Sequence, residues 1–146
     1  MSSVETLREK VVDEYGNIRS DEQGHMEGAD VFNFVIVEVP KDIKRLMKAA
    51  DEDIQNMDYY LFHQANAFIN NFVAKKMKLD TTKIPWTIQK YGNTSSVSVP
   101  LTIVSELKDK MEGKKKIMMS AFGVGMSWAT GIVPFVDCKI SEIVEI

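Results

Sequence analysis

Cysteine is nearly absent: Cys138 is the only one in the 146-residue chain. A single thiol excludes an internal disulfide framework and a zinc site built on cysteines. No apolar run approaches the ~18 residues that a bilayer crossing requires, and no charged-then-apolar leader opens the sequence. The expectation is therefore a soluble, cytoplasmic protein with no membrane partner. A strong excess of one charge is lacking too. A net charge of −3 gives no reason to expect nucleic acid or an anionic membrane as a partner. Nor is the composition that of a disordered chain, since 45% of residues are hydrophobic and 27% charged.

What is present suits one domain with a real core. Nine methionines add adaptable packing for a surface that meets another domain or acyl chains. Val4 to Glu14 has weak helical spacing, ended by Tyr15-Gly16-Asn17, and Ile18 to Gly28 is polar and aperiodic. Residues 1–28 thus read as an arm and loop, and 29–146 as the domain. Within the domain, Val31 to Ala50 is expected to be a helix capped by Asp30 and disturbed at Pro40. Asp51 to Asn56 is an acidic connector. Met57 to Phe62 reads as a short buried strand and Ala67 to Lys78 as a helix, with Phe68, Ile69, Phe72, Val73 and Met77 on one stripe. A further strand is expected over Ile84 to Ile88, with Pro85 near its start. A helix then starts near Ser95 or Ser96, carrying Val97, Leu101, Val104, Leu107 and Met111, and admitting Pro100 in its first turn. Lys114-Lys115-Lys116 reads as a solvated turn. Strands over Ile117 to Phe122 and Met126 to Val136, the second interrupted at Gly131 and Pro134, flank the turn Gly123-Val124-Gly125.

Alternating strands and helices imply an α/β fold with parallel strands joined by right-handed crossovers, and the final hairpin adds an antiparallel pair. His63 then follows one strand, Asn93 the next, and the glycine turn the third. In open α/β sheets the carboxyl ends of the strands are where ligands bind. A neutral imidazole N–H and a carboxamide NH₂ are both donors. Aimed at one carbonyl oxygen they would stabilise an enolate, and the turn could offer a backbone N–H to a second oxyanion. Each part also has a plain structural reading. His63 could be a packed histidine, Asn93 a helix cap, and the turn only a hairpin turn.

The sequence resembles the carboxyl-terminal half of β-ketoacyl-acyl-carrier-protein synthase III, a condensing enzyme of the thiolase fold. The resemblance rests on His63-Gln64-Ala65-Asn66, on Tyr91-Gly92-Asn93-Thr94-Ser95 with Pro100, and on Ala121-Phe122-Gly123-Val124-Gly125 with Ser127-Trp128. Met26-Glu27-Gly28-Ala29-Asp30-Val31-Phe32 is similar to the family's entry into this half, and the match runs from about Gly24 to Val136. It implies a thiolase-like half-domain with a mixed, mostly parallel sheet covered by helices.

It also implies a reaction. An acyl group passes from acyl-CoA to a cysteine; malonyl-acyl-carrier protein then loses CO₂, with His63 and Asn93 donating to its thioester oxygen. The enolate attacks the acyl-cysteine and yields a 3-oxoacyl product, with no metal or redox cofactor. By the same resemblance Phe122 walls the pocket beside the pair, and Gly123, Val124 and Gly125 form the oxyanion turn. Gln64 and Asn66 play supporting parts, Asn66 as a helix cap. Lys75 and Lys76 keep basic character on a helix that meets the acidic carrier, or are plain solvated lysines.

Departures from the family are equally readable. Its nucleophilic cysteine belongs to the amino-terminal half, of which the sequence shows no counterpart, and Cys138 has no helix behind it to lower its pKa. Val124 stands where many members have glycine, and Phe68 where some have a carrier-binding arginine. The expectation is a half-enzyme, inactive alone, that pairs with the cysteine-bearing half and forms a homodimer. The competing expectation is a non-catalytic module that binds acyl-CoA or the carrier protein.

Overall fold

The computed structural model describes residues 28–144, together with Val12, Gly16, Ile18 and Ser20. The weak helix over Val4 to Glu14 lies, Val12 apart, outside the described residues. The chain divides into two compact units, 1–31 and 32–146.

The first long element, α1, is a helix over Gly28–Ala50. Val35, Val39, Ile43 and Met47 recur every four residues and are buried, which is the stripe a helix lays against a core. Pro40 was expected to disturb it, yet the helix runs through without a break. Proline removes the N–H that would reach the carbonyl four residues back, here that of Ile36. The Lys76 ammonium donates to that carbonyl at 2.6 Å and takes the missing donor's place.

A short 3₁₀ turn, Ile54–Asn56, capped by Asp53, leads into β1, Tyr59–Phe62. Tyr60 and Leu61 point to opposite faces of the strand, and both are fully buried. The sheet is therefore covered on both sides. α2 spans Ala67–Met77, and the Asn66 side chain caps it by accepting from the Phe68 N–H. Its buried positions are Ile69, Asn70, Val73 and Ala74, whereas Phe68 is 67% exposed. The buried stripe thus lies about 100° round the helix from the expected one on its Phe68 side.

The strand expected over Ile84 to Ile88 does not form. A 3₁₀ turn over Thr81–Lys83 and a short helix α3, Ile88–Tyr91, flank irregular chain instead. The backbone donors are already committed: Ile84 N–H to Thr81, Thr87 N–H to the Gln64 side chain. Pro85 has none to give.

A 3₁₀ turn at Ser95–Val97 runs into α4, Ser98–Glu106. Pro100 sits in its first turn, as the spacing requires. The expected stripe holds in part: Leu107 and Met111 are buried but lie beyond the helix end, whereas in the helix Ser98 and Thr102 are buried and Val97 before it is exposed. Val99 and Ile103 pack on the cluster of Leu61, Leu107, Met111 and Ile117.

β2, Lys114–Gly123, and β3, Ser127–Val136, complete the sheet in the order β1-β2-β3. β1 and β2 are parallel, with Tyr59 opposite Ile117; β2 and β3 are antiparallel. The sheet is mixed, with helices packed on it. Lys114 to Lys116 open β2 rather than forming a turn, because each pairs across to Val136, Phe135 and Pro134. Nor is β3 interrupted at Gly131 or Pro134. Proline is tolerated there because β3 is an edge strand among the described residues, so a missing N–H on its outer side costs no ladder bond.

Candidate active site

His63 comes immediately after β1. Its N–H donates to the Ser120 carbonyl at 2.9 Å, and its own carbonyl accepts from the buried Asn70 carboxamide at 3.0 Å. The backbone at this point is thus fixed from two sides. The imidazole Nδ1 lies 2.6 Å from Ser98 Oγ, and the Phe122 ring stands edge-on to it with centroids 5.4 Å apart. Burial lowers the histidine pKa below its ordinary value, so the ring is neutral at pH 7. Among the described residues no hydrogen-bond partner occupies Nε2.

Gln64 is completely buried behind it. Its NH₂ donates to the Phe62 carbonyl, its side-chain oxygen accepts from the Thr87 N–H, and its own N–H donates to Ser98 Oγ. Thr87 and Thr102 share a 2.8 Å hydroxyl contact, and the Thr102 hydroxyl donates to the Ser98 carbonyl. No buried side-chain nitrogen or oxygen among the described residues lacks a partner. A fully satisfied buried network is a stiff one.

Asn93 is exposed, in the turn that feeds α4. Its carboxamide oxygen accepts from the Ser95 N–H at 2.9 Å. Capping the turn this way uses the oxygen and leaves the NH₂ without a hydrogen-bond partner among the described residues, so the structural and chemical uses of Asn93 do not compete. Asn93 makes no direct contact with His63. The two are linked through the chain, since Ser98, five residues on from Asn93, holds the imidazole.

The hairpin turn is Val124-Gly125-Met126, one residue later than expected, because Gly123 ends β2 and pairs with Ser127. Gly125 has φ +138°, and a Cβ there would come within 2.5 Å of Ser127 Oγ and 3.1 Å of its backbone nitrogen. Glycine is required at that position. Val124 is fully exposed. Phe34 packs edge-on against Trp128 beside this turn. Lys75 and Lys76 are both exposed on α2, Lys76 being tied to α1 through Ile36.

Residues 47–135 match the family described as 3-oxoacyl-[acyl-carrier-protein (ACP)] synthase III C terminal. The chain belongs to that family. A β-ketoacyl-[acyl-carrier-protein] synthase III of Streptococcus gordonii is 40% identical over 112 residues, covering 74% of this chain and 34% of the relative. A 3-oxoacyl-(acyl-carrier protein) synthase from Burkholderia xenovorans superposes with TM-score 0.77 at 41% identity, over 80% of this chain and 34% of that one. A second solved 3-oxoacyl-(acyl-carrier-protein) synthase III gives TM-score 0.82 at 35% identity, over 94% and 40% respectively. The fold is thus thiolase-like, and the chain spans about a third of the length of the curated relatives it matches.

In this synthase III C-terminal domain Cys138 comes just after β3, which ends at the opposite end of the sheet from His63. It follows Val136, which pairs with Lys114 at the start of β2, whereas Phe62 pairs with Ser120. Six residues of strand separate the two levels, about 20 Å. Cys138 packs instead against the Leu61 cluster. Ser98, Thr87, Thr102 and Asn70 escaped the sequence reading. A signal existed: Ser98 and Thr102 are four apart on a helix whose other residues are mostly apolar, so two hydroxyls share one face.

Proposed function

We propose that this domain is the malonyl-decarboxylating half of a 3-oxoacyl-[acyl-carrier-protein] synthase III, working with an amino-terminal half that carries the nucleophilic cysteine. The observation that carries the reading is the neutral imidazole of His63, anchored through Nδ1 at the carboxyl end of β1 with Nε2 left for a ligand. In the reaction, the bond between the malonyl carboxylate and the α-carbon breaks and CO₂ leaves. The electron pair moves onto the thioester oxygen, where His63 Nε2–H and the Asn93 NH₂ donate to it. The enolate carbon then attacks the acyl-cysteine carbonyl, a C–C bond forms, and the thiolate departs. Donors aimed at developing charge contribute most in a site that excludes water.

Phe122, Gly123, Val124 and Gly125 wall that site. Gln64 and Asn66 support it through the backbone on either side of His63. Lys75 meets the acidic carrier protein together with the ammonium of Lys76. The substrates are acyl-CoA and malonyl-acyl-carrier protein, the chemistry needs no metal or redox cofactor, and the compartment is the cytoplasm. The arm is residues 1–28, the working domain is 29–146, and the assembled synthase is a homodimer. The domain alone, with Cys138 remote from His63, is inactive in condensation.

The test is CO₂ release and 3-oxoacyl formation from malonyl-carrier protein and acetyl-CoA, run on this chain alone and after adding the amino-terminal half of a related synthase. Turnover only in the mixture supports the reading. Absence of turnover in both, with carrier protein still bound, replaces it by a binding module.

A further inference from the structure

The protons around Ser98 can be counted. Ser98 is 0% exposed, and its hydroxyl oxygen has two polar neighbours among the described residues: the Gln64 N–H at 3.2 Å and His63 Nδ1 at 2.6 Å. The first is a donor and uses one lone pair of Oγ. If Nδ1 were also protonated it would have to donate to Oγ as well. The Ser98 hydroxyl hydrogen would then be buried with no acceptor, a state that native interiors avoid. If Nδ1 is bare, the hydroxyl donates to it, every group is satisfied, and the ring's single proton resides on Nε2.

We propose that Ser98 is a positioning residue that holds His63 in the Nε2–H tautomer, and that Gln64, Thr87 and Thr102 exist to hold Ser98. The ring of bonds has one consistent direction. Thr102 donates to the Ser98 carbonyl at 2.7 Å, so the Thr87 hydroxyl must be the donor in its 2.8 Å contact with Thr102. The Thr87 N–H donates to Gln64 Oε1 at 3.3 Å, and the Gln64 N–H returns to Ser98. Gln64, Thr87, Ser98 and Thr102 are all at most 1% exposed. Water cannot substitute for any member without a cavity opening. The hydroxyl is thereby committed to the imidazole rather than free to rotate. The opposite tautomer would present a lone pair to the thioester oxygen and repel the charge that decarboxylation places there. The catalytic meaning of this assignment rests on the synthase reading; the tautomer itself does not.

The experiment is long-range proton–nitrogen correlation NMR on the ¹⁵N-labelled chain at pH 7 to 8, in a His25→Gln background so that His63 is the only imidazole. The expected spectrum has Nδ1 in the unprotonated range and Nε2 in the protonated range, a single tautomer. Ser98→Ala should move both nitrogens toward averaged positions, and Ser98→Thr, which keeps the hydroxyl, should restore the single tautomer. A protonated Nδ1 in the parent chain overturns the assignment even if Ser98→Ala fails to fold. An unshifted spectrum in a folded Ser98→Ala chain overturns the part given to Ser98. The spectrum needs no turnover, so an inactive two-half mixture would defeat the synthase reading while leaving the tautomer result in place.

Discussion

The two ends of the sheet use their polar groups in different ways. At the end where β2 begins, pairing is mutual. The Asp58 N–H donates to the Lys116 carbonyl at 2.8 Å, the Lys116 N–H donates back to the Asp58 carboxylate at 2.7 Å, and the Lys116 ammonium reaches Glu52 at 2.5 Å. The Gly113 N–H and the Asp137 side chain close the same end. At the end where β2 turns into β3, the buried hydroxyls and Gln64 are fully paired, but two polar side chains nearer the surface are half used. His63 is held by Nδ1 and Asn93 by its oxygen. The exposed apolar residues Val97, Val124 and Trp128 lie at this end. Mutual pairing makes a fold; half-pairing over a stiff support leaves donors with work to do.

That contrast is broken most directly at His63. In the reconstituted synthase, His63→Ala or Asn93→Ala should lower decarboxylation by about 10²–10³ each. Acyl transfer to the cysteine should survive, and urea unfolding of either variant should stay within ~1.5 kcal/mol of the parent. Undiminished CO₂ release would place the chemistry elsewhere. Next in size is Gly125→Ala, which should cost about 1–3 kcal/mol in urea denaturation because a side chain is strained at that φ. Alanine at Gly123, where a Cβ meets nothing within 4 Å, is the control and should be nearly neutral.

A third test uses pH. Burial depresses the His63 pKa in the folded chain, so as pH falls below about 6.5 the unfolded state takes up its proton first. The stability contributed by the neutral ring is present above that pH, is lost as pH falls to the folded-state pKa, and then levels off. A His63→Gln chain should lose this part of the acid slope, and equal slopes would refute the burial. The smallest effect is expected at the opposite end: Glu52→Ala, breaking a partly exposed ion pair, should cost no more than ~1 kcal/mol in the same denaturation assay and leave turnover unchanged.

The strand end and helix cap around the candidate site were legible because their signals are local. An apolar run breaking into His63-Gln64-Ala65-Asn66 marks a strand end and a helix cap without any knowledge of tertiary contacts. The hairpin was legible for the same reason, through its glycines. What failed was anything decided at long range. Ile84 to Ile88 has strand composition, but its donors are claimed by Thr81 and by Gln64, a residue 23 positions before Thr87. Lys114 to Lys116 look solvated until Val136, Phe135 and Pro134 come back to pair with them. The stripes of α2 and α4 were drawn through apolar residues alone, whereas the interior also takes in Asn70 and Ser98, which bond His63, and Thr102, which bonds Ser98. Periodicity weighs hydrophobicity; a site inside a core inverts it.

The bond between Lys76 and the Ile36 carbonyl ties two positions of this chain: Pro40, which lacks the donor, and Lys76, which supplies it. Pro40 creates the vacancy and Lys76 fills it from a different helix, so a change at either position alters what the Ile36 carbonyl is bonded to. A short side chain at position 76 hands that exposed carbonyl to water, and an N–H restored at position 40 would take it back into the helix. Once position 40 regains its amide, position 76 is released from that bond, and the surface it occupies becomes free for whatever the helix next has to touch.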